Sequence, residues 1–255
     1  MLEKLKKLFN KNLHTNISLD ALGLLTMLVI GINAPSWHLS YIENKVGKVS
    51  VKVVKDNRAV SGGSGIHVQA PSGKAYILTN GHVCGVSDDG KEALIQVPNS
   101  DRFIKRRILE VYSKHDLCLI EGLDGYDGIE LASGVNAGDG VLAVGHPQLR
   151  PLRAALGNYL TNSDIQIATG LISSQEEEDA CVANKGTPVE AFIFYVCVKS
   201  YEAMETTVVI YPGSSGSALV NFWGNLVGVM FAGDGESHYG FAVPLSYVED
   251  FLSTY

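Results

Sequence analysis

The sequence predicts an all-β fold of antiparallel sheets closed into barrels, with a short helix at the carboxy terminus and a separate helical segment at the amino terminus. Three observations lead there. Past residue 45, apolar or β-branched runs alternate with Gly, Asn, Asp and Ser turns and no helical period intervenes. The runs are VSVKVV at 49–54, YILT at 76–79, ALIQV at 93–97, LCLI at 117–120, VLAVG at 141–145, VEAFIFYVCV at 189–198, TTVVIY at 206–211 and LVGVMFA at 226–232. In the last segment Leu245, Val248, Phe251 and Leu252 share one helical face. In residues 1–16, Leu2, Leu5, Leu8 and Phe9 recur at helix-like spacing among Lys4, Lys6, Lys7 and Lys11, which makes a basic amphipathic segment.

From Ala21 to Ile42 no side chain carries a formal charge, and the stretch opens with ALGLLTMLVIGI. Its length suits a hydrocarbon core, although Asn33, Pro35, Ser36 and His38 weaken the second half. A lysine-rich start before an apolar core has secretory architecture, yet Pro35 directly after Ala34 makes a poor cleavage site. Three readings stay open: an uncleaved anchor, a cleaved targeting segment, or a helix packed on the protein or a partner. The first two give a membrane-anchored or exported protein with membrane contact through residues 1–42 and the following domain opposite the lysines. The third leaves it cytoplasmic. The boundary falls near residue 45, dividing the chain into residues 1–44 and a domain of residues 45–255.

Composition narrows the function. At 255 residues, with 46% apolar and 18% charged side chains, the chain reads as one folded functional unit, which excludes disorder and coiled coil. A net charge of -7 gives no basis for gripping a phosphate backbone, so nucleic acid is not an expected partner. The basic run Lys105, Arg106, Arg107 reads as a solvated strand edge or loop, and the acidic run Glu176–Asp179 as an exposed loop. Four cysteines are too few for a disulfide scaffold. Cys84 and Cys118, inside apolar sequence, read as small core side chains. Cys181 and Cys197 would meet across a loop only in an oxidising compartment. Without a CxxC or a His/Cys cluster at ligand spacing, neither a metal nor another cofactor is expected.

The chemistry concentrates in three segments. In YPGSSGSAL at 211–219, Gly213 and Gly216 bracket Ser215. This permits a tight loop that points a hydroxyl outward while backbone N–H groups converge on a developing oxyanion. LTNGHVC at 78–84 sets His82 just after a strand, where its ring can turn toward a cleft. His14, His38, His67, His115, His146 and His238 lack such a setting and read as surface or core residues. SKHDLCLIE at 113–121 sets Asp116 at a strand mouth, where a buried acid needs a partner and an imidazole N–H supplies one. The chain order His82, Asp116, Ser215 differs from both the α/β-hydrolase and the subtilisin orders. Ser217 in place of glycine also breaks the hydrolase elbow GxSxG.

Together TNGHV, DLCLI and PGSSGSAL resemble the trypsin/chymotrypsin superfamily, most closely its HtrA/Deg-like, trypsin-like peptidase branch, which carries TNxHV, DLA or DIA, and PGNSGGAL or PGNSGGPL. GGSGIHV at 62–68, VGHP at 144–147, TGLISS at 169–174, GNLVGVMFAG at 224–233 and YGFAVPLSYV at 239–248 follow in order, so the resemblance spans about residues 47–252. It implies two antiparallel six-stranded barrels with the active site between them and a serine endopeptidase acting on a polypeptide substrate. It implies His82, Asp116 and Ser215 as the catalytic set, with Gly213, Ser214 and Ser215 as the oxyanion loop. Met230, Phe231, Ala232 and Gly233 would pair with an extended substrate, and Val209 would stand at the base of the primary specificity pocket, favouring a small or medium apolar P1 residue. Ser214 replaces the aspartate of trypsin-type zymogens, so activation by a new amino-terminal ion pair is not expected. Ser217 replaces the family's second glycine, and no PDZ-like segment follows the last helix. The alternative expectation is an inactive or inducible scaffold of the same fold.

Overall fold

The computed structural model describes residues 41–42, 45–46, 48–55, 58–85, 92–97, 100–146, 153–183, 185–191, 194–234 and 239–255. The compact unit to which nearly all of these belong runs from Ile42 to Tyr255. The readings of residues 1–40 as amphipathic segment and anchor, leader or packed helix lie outside the described residues. Among the described residues no helix is long and apolar enough to cross a membrane.

The first sheet is built from β1 (Lys48–Lys55), β2 (Arg58–Gln69), β3 (Ala75–Thr79), β4 (Glu92–Gln96), β5 (Phe103–Tyr112) and β6 (Leu117–Glu121). It closes in the order β1-β2-β3-β6-β5-β4, with β1 paired back onto β4 through Val51↔Ile95. The runs YILT and LCLI lie side by side as Ile77↔Ile120 and Leu78↔Leu119. Their unbroken apolar character matches near-complete burial, and Val51, Ile77, Ala93, Ile95, Cys118, Ile120 and Leu123 fill the barrel. The basic run Lys105–Arg107 lies within β5, where Lys105 Nζ meets Glu92 Oε2 across the β4 pair at 2.6 Å. A four-residue helix, α1 (Gly81–Cys84), follows β3 and packs into this barrel through Val83 and Cys84.

The second sheet holds β7 (Gly140–Gly145), β8 (Arg153–Ile172), β9 (Thr187–Ala191), β10 (Phe194–Thr206), β11 (Ala218–Val220), β12 (Leu226–Asp234) and β13 (Tyr239–Pro244). Its order is β13-β12-β11-β7-β8-β10-β9, with a further pairing of β13 to β10. The expectation of two six-stranded barrels is therefore corrected: one closed six-stranded barrel is present, and the second element is a seven-stranded sheet, not a barrel. The reason is local. The apolar stretch 189–198 is not one strand but two that pair on each other, Val196↔Val189 and Cys197↔Pro188, and this adds a seventh strand to the outer side of β10. The stretch 206–211 is not a strand past Thr206, where β10 ends, although Val208 is buried in the core of this half.

A second helix, α2 (Gln175–Ala183), replaces the loop expected at Glu176–Asp179. Its start is capped: Ser174 Oγ accepts the Glu177 N–H at 3.2 Å, and Glu177 Oε2 accepts the N–H and hydroxyl of Ser173 at 2.7 Å each. Those bonds hold the exposed Glu177 carboxyl below its usual range. The last helix, α3 (Leu245–Leu252), falls where its apolar face predicts and buries Val248, Phe251 and Leu252.

All four cysteines are paired. Cys181 joins α2 to β10 through Cys197. Cys84 and Cys118, expected as unpaired core side chains, form the other disulfide across Cα atoms 6.4 Å apart. The correction is one of distance: α1 lies directly on the start of β6, so two cysteines far apart in sequence meet in the barrel core.

Candidate active site

The three sequence segments converge at the face where the barrel meets the second sheet. Asn80 follows β3 in extended backbone as the N-cap of α1, which then lifts the His82 ring out and leaves its side chain 50% exposed. Asp116 lies at the mouth of β6, 7% exposed, with φ +54°, a left-handed conformation that aspartate tolerates better than most residues. In that conformation both carboxylate oxygens face α1. Oδ1 accepts the His82 backbone N–H at 2.8 Å, and Oδ2 lies 2.7 Å from Nδ1 of the ring. Asn80 Nδ2 donates to the Asp116 carbonyl at 3.1 Å, tying the two segments a third time. A carboxylate bound to Nδ1 selects the tautomer whose Nε2 accepts a proton.

Ser215 lies on the turn before β11. Gly213 and Gly216 have φ +88° and +84°, and a Cβ on Gly216 would fall 2.0 Å from the Ser64 carbonyl oxygen, so only glycine fits there. Ser214 N–H is committed to the Tyr211 carbonyl at 2.9 Å, while the N–H groups of Gly213 and Ser215 meet no acceptor among the described residues. Two uncommitted donors on one turn suit a developing oxyanion. The Ser215 hydroxyl lies 3.5 Å from the Phe231 carbonyl, and no hydrogen bond links it to the His82 ring.

The loop is fastened from the opposite sheet by Ser64 on β2. Ser64 N–H donates to the Ser215 carbonyl at 2.7 Å, and its hydroxyl donates to the Gly213 carbonyl at 3.0 Å while accepting the His146 N–H at 2.8 Å. Ser217, 2% exposed, packs on Gly145: a Cβ on Gly145 would fall 1.8 Å from Ser217 Oγ. A serine in place of the family's second glycine is thus accommodated by a glycine on β7.

The expected substrate strand is β12. A bulge between Met230 and Ala232 leaves Phe231 out of the β13 ladder, and past Val229 no described strand pairs with the other side of β12. The Met230 side chain belongs to the core, Phe231 is nearly buried, Ala232 is half-buried and Gly233 is exposed. Val209 is half-buried, between Val208 in the core and Ile210, which packs where a Gly233 side chain would stand. Tyr201, on β10, carries no sequence signal, yet its ring centre lies 5.6 Å from that of Phe231. Burial and then the Asp116 charge push its phenol up to about 12, so it stays neutral beside the acid.

Comparisons with known proteins place the fold and the family. A family model for the trypsin-like peptidase domain matches residues 63–229. The Do-like HtrA serine protease of Bacillus subtilis is 27% identical over 192 residues, 71% of this chain and 36% of that protein. The Do-like HtrA serine protease of Lactococcus lactis subsp. cremoris is 24% identical over 176 residues, 66% of this chain and 36% of that one. The chain spans little more than a third of the length of these curated relatives. Among solved structures, the active form of the Rv3671c protease from M. tuberculosis has a TM-score of 0.64 at 15% identity, covering 88% of this chain and 85% of that one. The serine endoprotease from Yersinia pestis has a TM-score of 0.59 at 19% identity, covering 86% and 68%. These structures share the fold, and the family model covers the three segments that meet at the cleft. The chain belongs to the trypsin-like peptidase domain family and is related to the HtrA/Deg serine proteases.

Proposed function

We propose that this chain is a serine endopeptidase that hydrolyses peptide bonds through an acyl-enzyme on Ser215. His82 takes the Ser215 proton as Oγ attacks the scissile carbonyl, and Asp116 holds the ring in the accepting tautomer. The N–H groups of Gly213 and Ser215 bind the oxyanion, and His82 then returns the proton to the leaving amine. Water completes the cycle by the reverse steps, and no cofactor enters. The observation that carries this reading is the double hold of Asp116 on the His82 N–H and Nδ1, at 2.8 and 2.7 Å, beside a turn with two N–H groups open.

The substrate is a polypeptide that adds as a strand beside Ala232 and Gly233, and the apolar surroundings of Val209 and Ile210 favour a small or medium apolar P1 residue. Residues 45–255 form the peptidase domain and residues 1–44 a separate segment that anchors or exports it. Two disulfides support an oxidising compartment over the cytoplasmic alternative.

Labelling by a fluorophosphonate probe tests the chemistry. Wild type is expected to label and Ser215→Ala to stay dark, whereas a folded wild type that stays dark sinks the proposal. One observation favours a second, inducible form: the Ser215 hydroxyl is turned to the Phe231 carbonyl. That form would label only when a peptide occupies the β12 edge.

A further inference from the structure

Two links join α1 to β6, and they run in parallel. His82 contacts Asp116 at the cleft, and two residues further along each segment Cys84 is bonded to Cys118 in the barrel core. The separation along the chain is 34 residues for both pairs.

Helix α1 has little of its own to hold it. It is a single turn, its N-cap Asn80 makes no side-chain capping bond, and it stops at Gly85 with φ +76°. Its position on β6 comes from the Asn80 and His82 hydrogen bonds to Asp116, from the packing of Val83 and Cys84, and from the disulfide. Asp116 meets them from a left-handed backbone that the surroundings must maintain. The covalent link therefore sits where a small displacement of α1 carries the imidazole off the carboxylate.

We propose that Cys84–Cys118 is a positioning crosslink: its oxidation sets α1 against β6, brings His82 onto Asp116, and so makes the catalytic pair dependent on passage into an oxidising compartment. The consequence for hydrolysis rests on the serine peptidase reading; the consequence for the His82–Asp116 contact does not. In the step itself, one cysteine thiolate attacks a disulfide of a thiol–disulfide oxidant and forms a mixed disulfide. The second thiolate displaces the oxidant's sulfur. The pair loses two electrons and two protons, and the oxidant leaves as a dithiol. Cys84 and Cys118 are 1% and 0% exposed, so the bond is shielded once the barrel has closed.

The test starts from Cys181→Ser/Cys197→Ser, which leaves Cys84–Cys118 as the sole disulfide. This protein is compared oxidised and after refolding with excess dithiothreitol, with thiol counting for redox state and circular dichroism for fold. The reduced, folded form is expected to lose at least tenfold in kcat on a peptide substrate, with KM within twofold, and to lose the deshielded proton resonance of an imidazole Nδ1–H donated to a carboxylate. Reoxidation restores both. Equal kcat and an unchanged resonance in the reduced, folded protein overturn the proposal. Where reduction prevents folding, Cys84→Ala/Cys118→Val fills the gap with apolar atoms and is read the same way. If neither folds, the bond serves the whole barrel and the positioning role is lost. An oxidised protein that fails to hydrolyse peptides refutes the peptidase reading, while the resonance still decides the crosslink.

Discussion

His82 and Asp116 are held by their own half of the molecule, whereas the Ser215 turn is also fastened from the other half. The pair sits on one closed barrel, joined by three hydrogen bonds from the Asn80–His82 segment and a disulfide two residues beyond. The serine loop belongs to the second, seven-stranded sheet, but two of its carbonyls, Gly213 and Ser215, are bound by Ser64 of the barrel. The difference teaches that the His82–Asp116 contact draws on barrel residues alone, while the serine turn is fixed from both halves, by Gly216 N–H on the Met230 carbonyl at 2.8 Å within its own sheet and by Ser64 from the barrel.

The largest effect expected from breaking this arrangement is Asp116→Asn. Its amide keeps the volume but presents the wrong group to Nδ1, and a drop in kcat of about 10⁴-fold with KM little changed is expected from comparable triads. Steady-state kinetics on a peptide ester and a peptide amide check it. A loss below tenfold would mean that the 2.7 Å contact is not engaged in the reaction.

An intermediate effect comes from the serine side. Gly145→Ala forces a methyl into Ser217 and Ser64, 1.8 and 2.8 Å from their hydroxyl oxygens, at a cost of about 1–3 kcal/mol. For a domain of this size each kcal/mol lowers Tm by about 2–4 °C. Adding Ser217→Gly restores the usual glycine and opens the space, so the double variant is expected to regain most of the loss while the His82–Asp116 contact stays untouched. Thermal unfolding of the two single variants and the double variant measures the coupling. Additive losses would mean that Ser217 and Gly145 do not share a cavity.

The same contrast governs what could be read from the sequence. YILT and LCLI announce central barrel strands because burial along their whole length needs unbroken apolar runs, and the helix at 245–252 shows its periodic face. His82, Asp116 and Ser215 stand out because their local motifs are specific in combination. The missed features depend on which distant segments touch. Nothing in Cys84 or Cys118 distinguishes a core thiol from a disulfide until α1 is laid on β6. Gly145 is an ordinary strand-end glycine until Ser217 is packed on it, and Ser64 gains its role only from the far loop. The start of α2 does have a local signal, since Ser174 followed three residues on by Glu177 is a capping signature. The second sheet differs from the expected barrel because a run of apolar residues does not say whether it turns back on itself, as 187–206 does.

The smallest effect sharpens the comparison from outside the cleft. His115, beside Asp116 in the chain, stacks on Tyr247 of α3 with ring centres 3.7 Å apart and lies edge-on to Tyr112 at 5.2 Å. Tyr247 in turn bonds Glu202 of β10, which pushes its phenol up to about 12. Burial, and then the Lys114 charge, lower the His115 pKa, while Asp250 and Glu202 oppose them. The unfolded chain thus binds a proton here more readily than the folded one. The stabilising contribution is full above the unfolded value of about 6.5 and is lost as pH falls through the lower folded value. His115→Phe keeps a ring against Tyr247 and cannot titrate. Between pH 7.5 and pH 5 its urea midpoint is expected to fall less than that of wild type, by a small margin because the two carboxylates offset part of the shift. Equal falls in both proteins would place the acid sensitivity of this seam elsewhere than at His115.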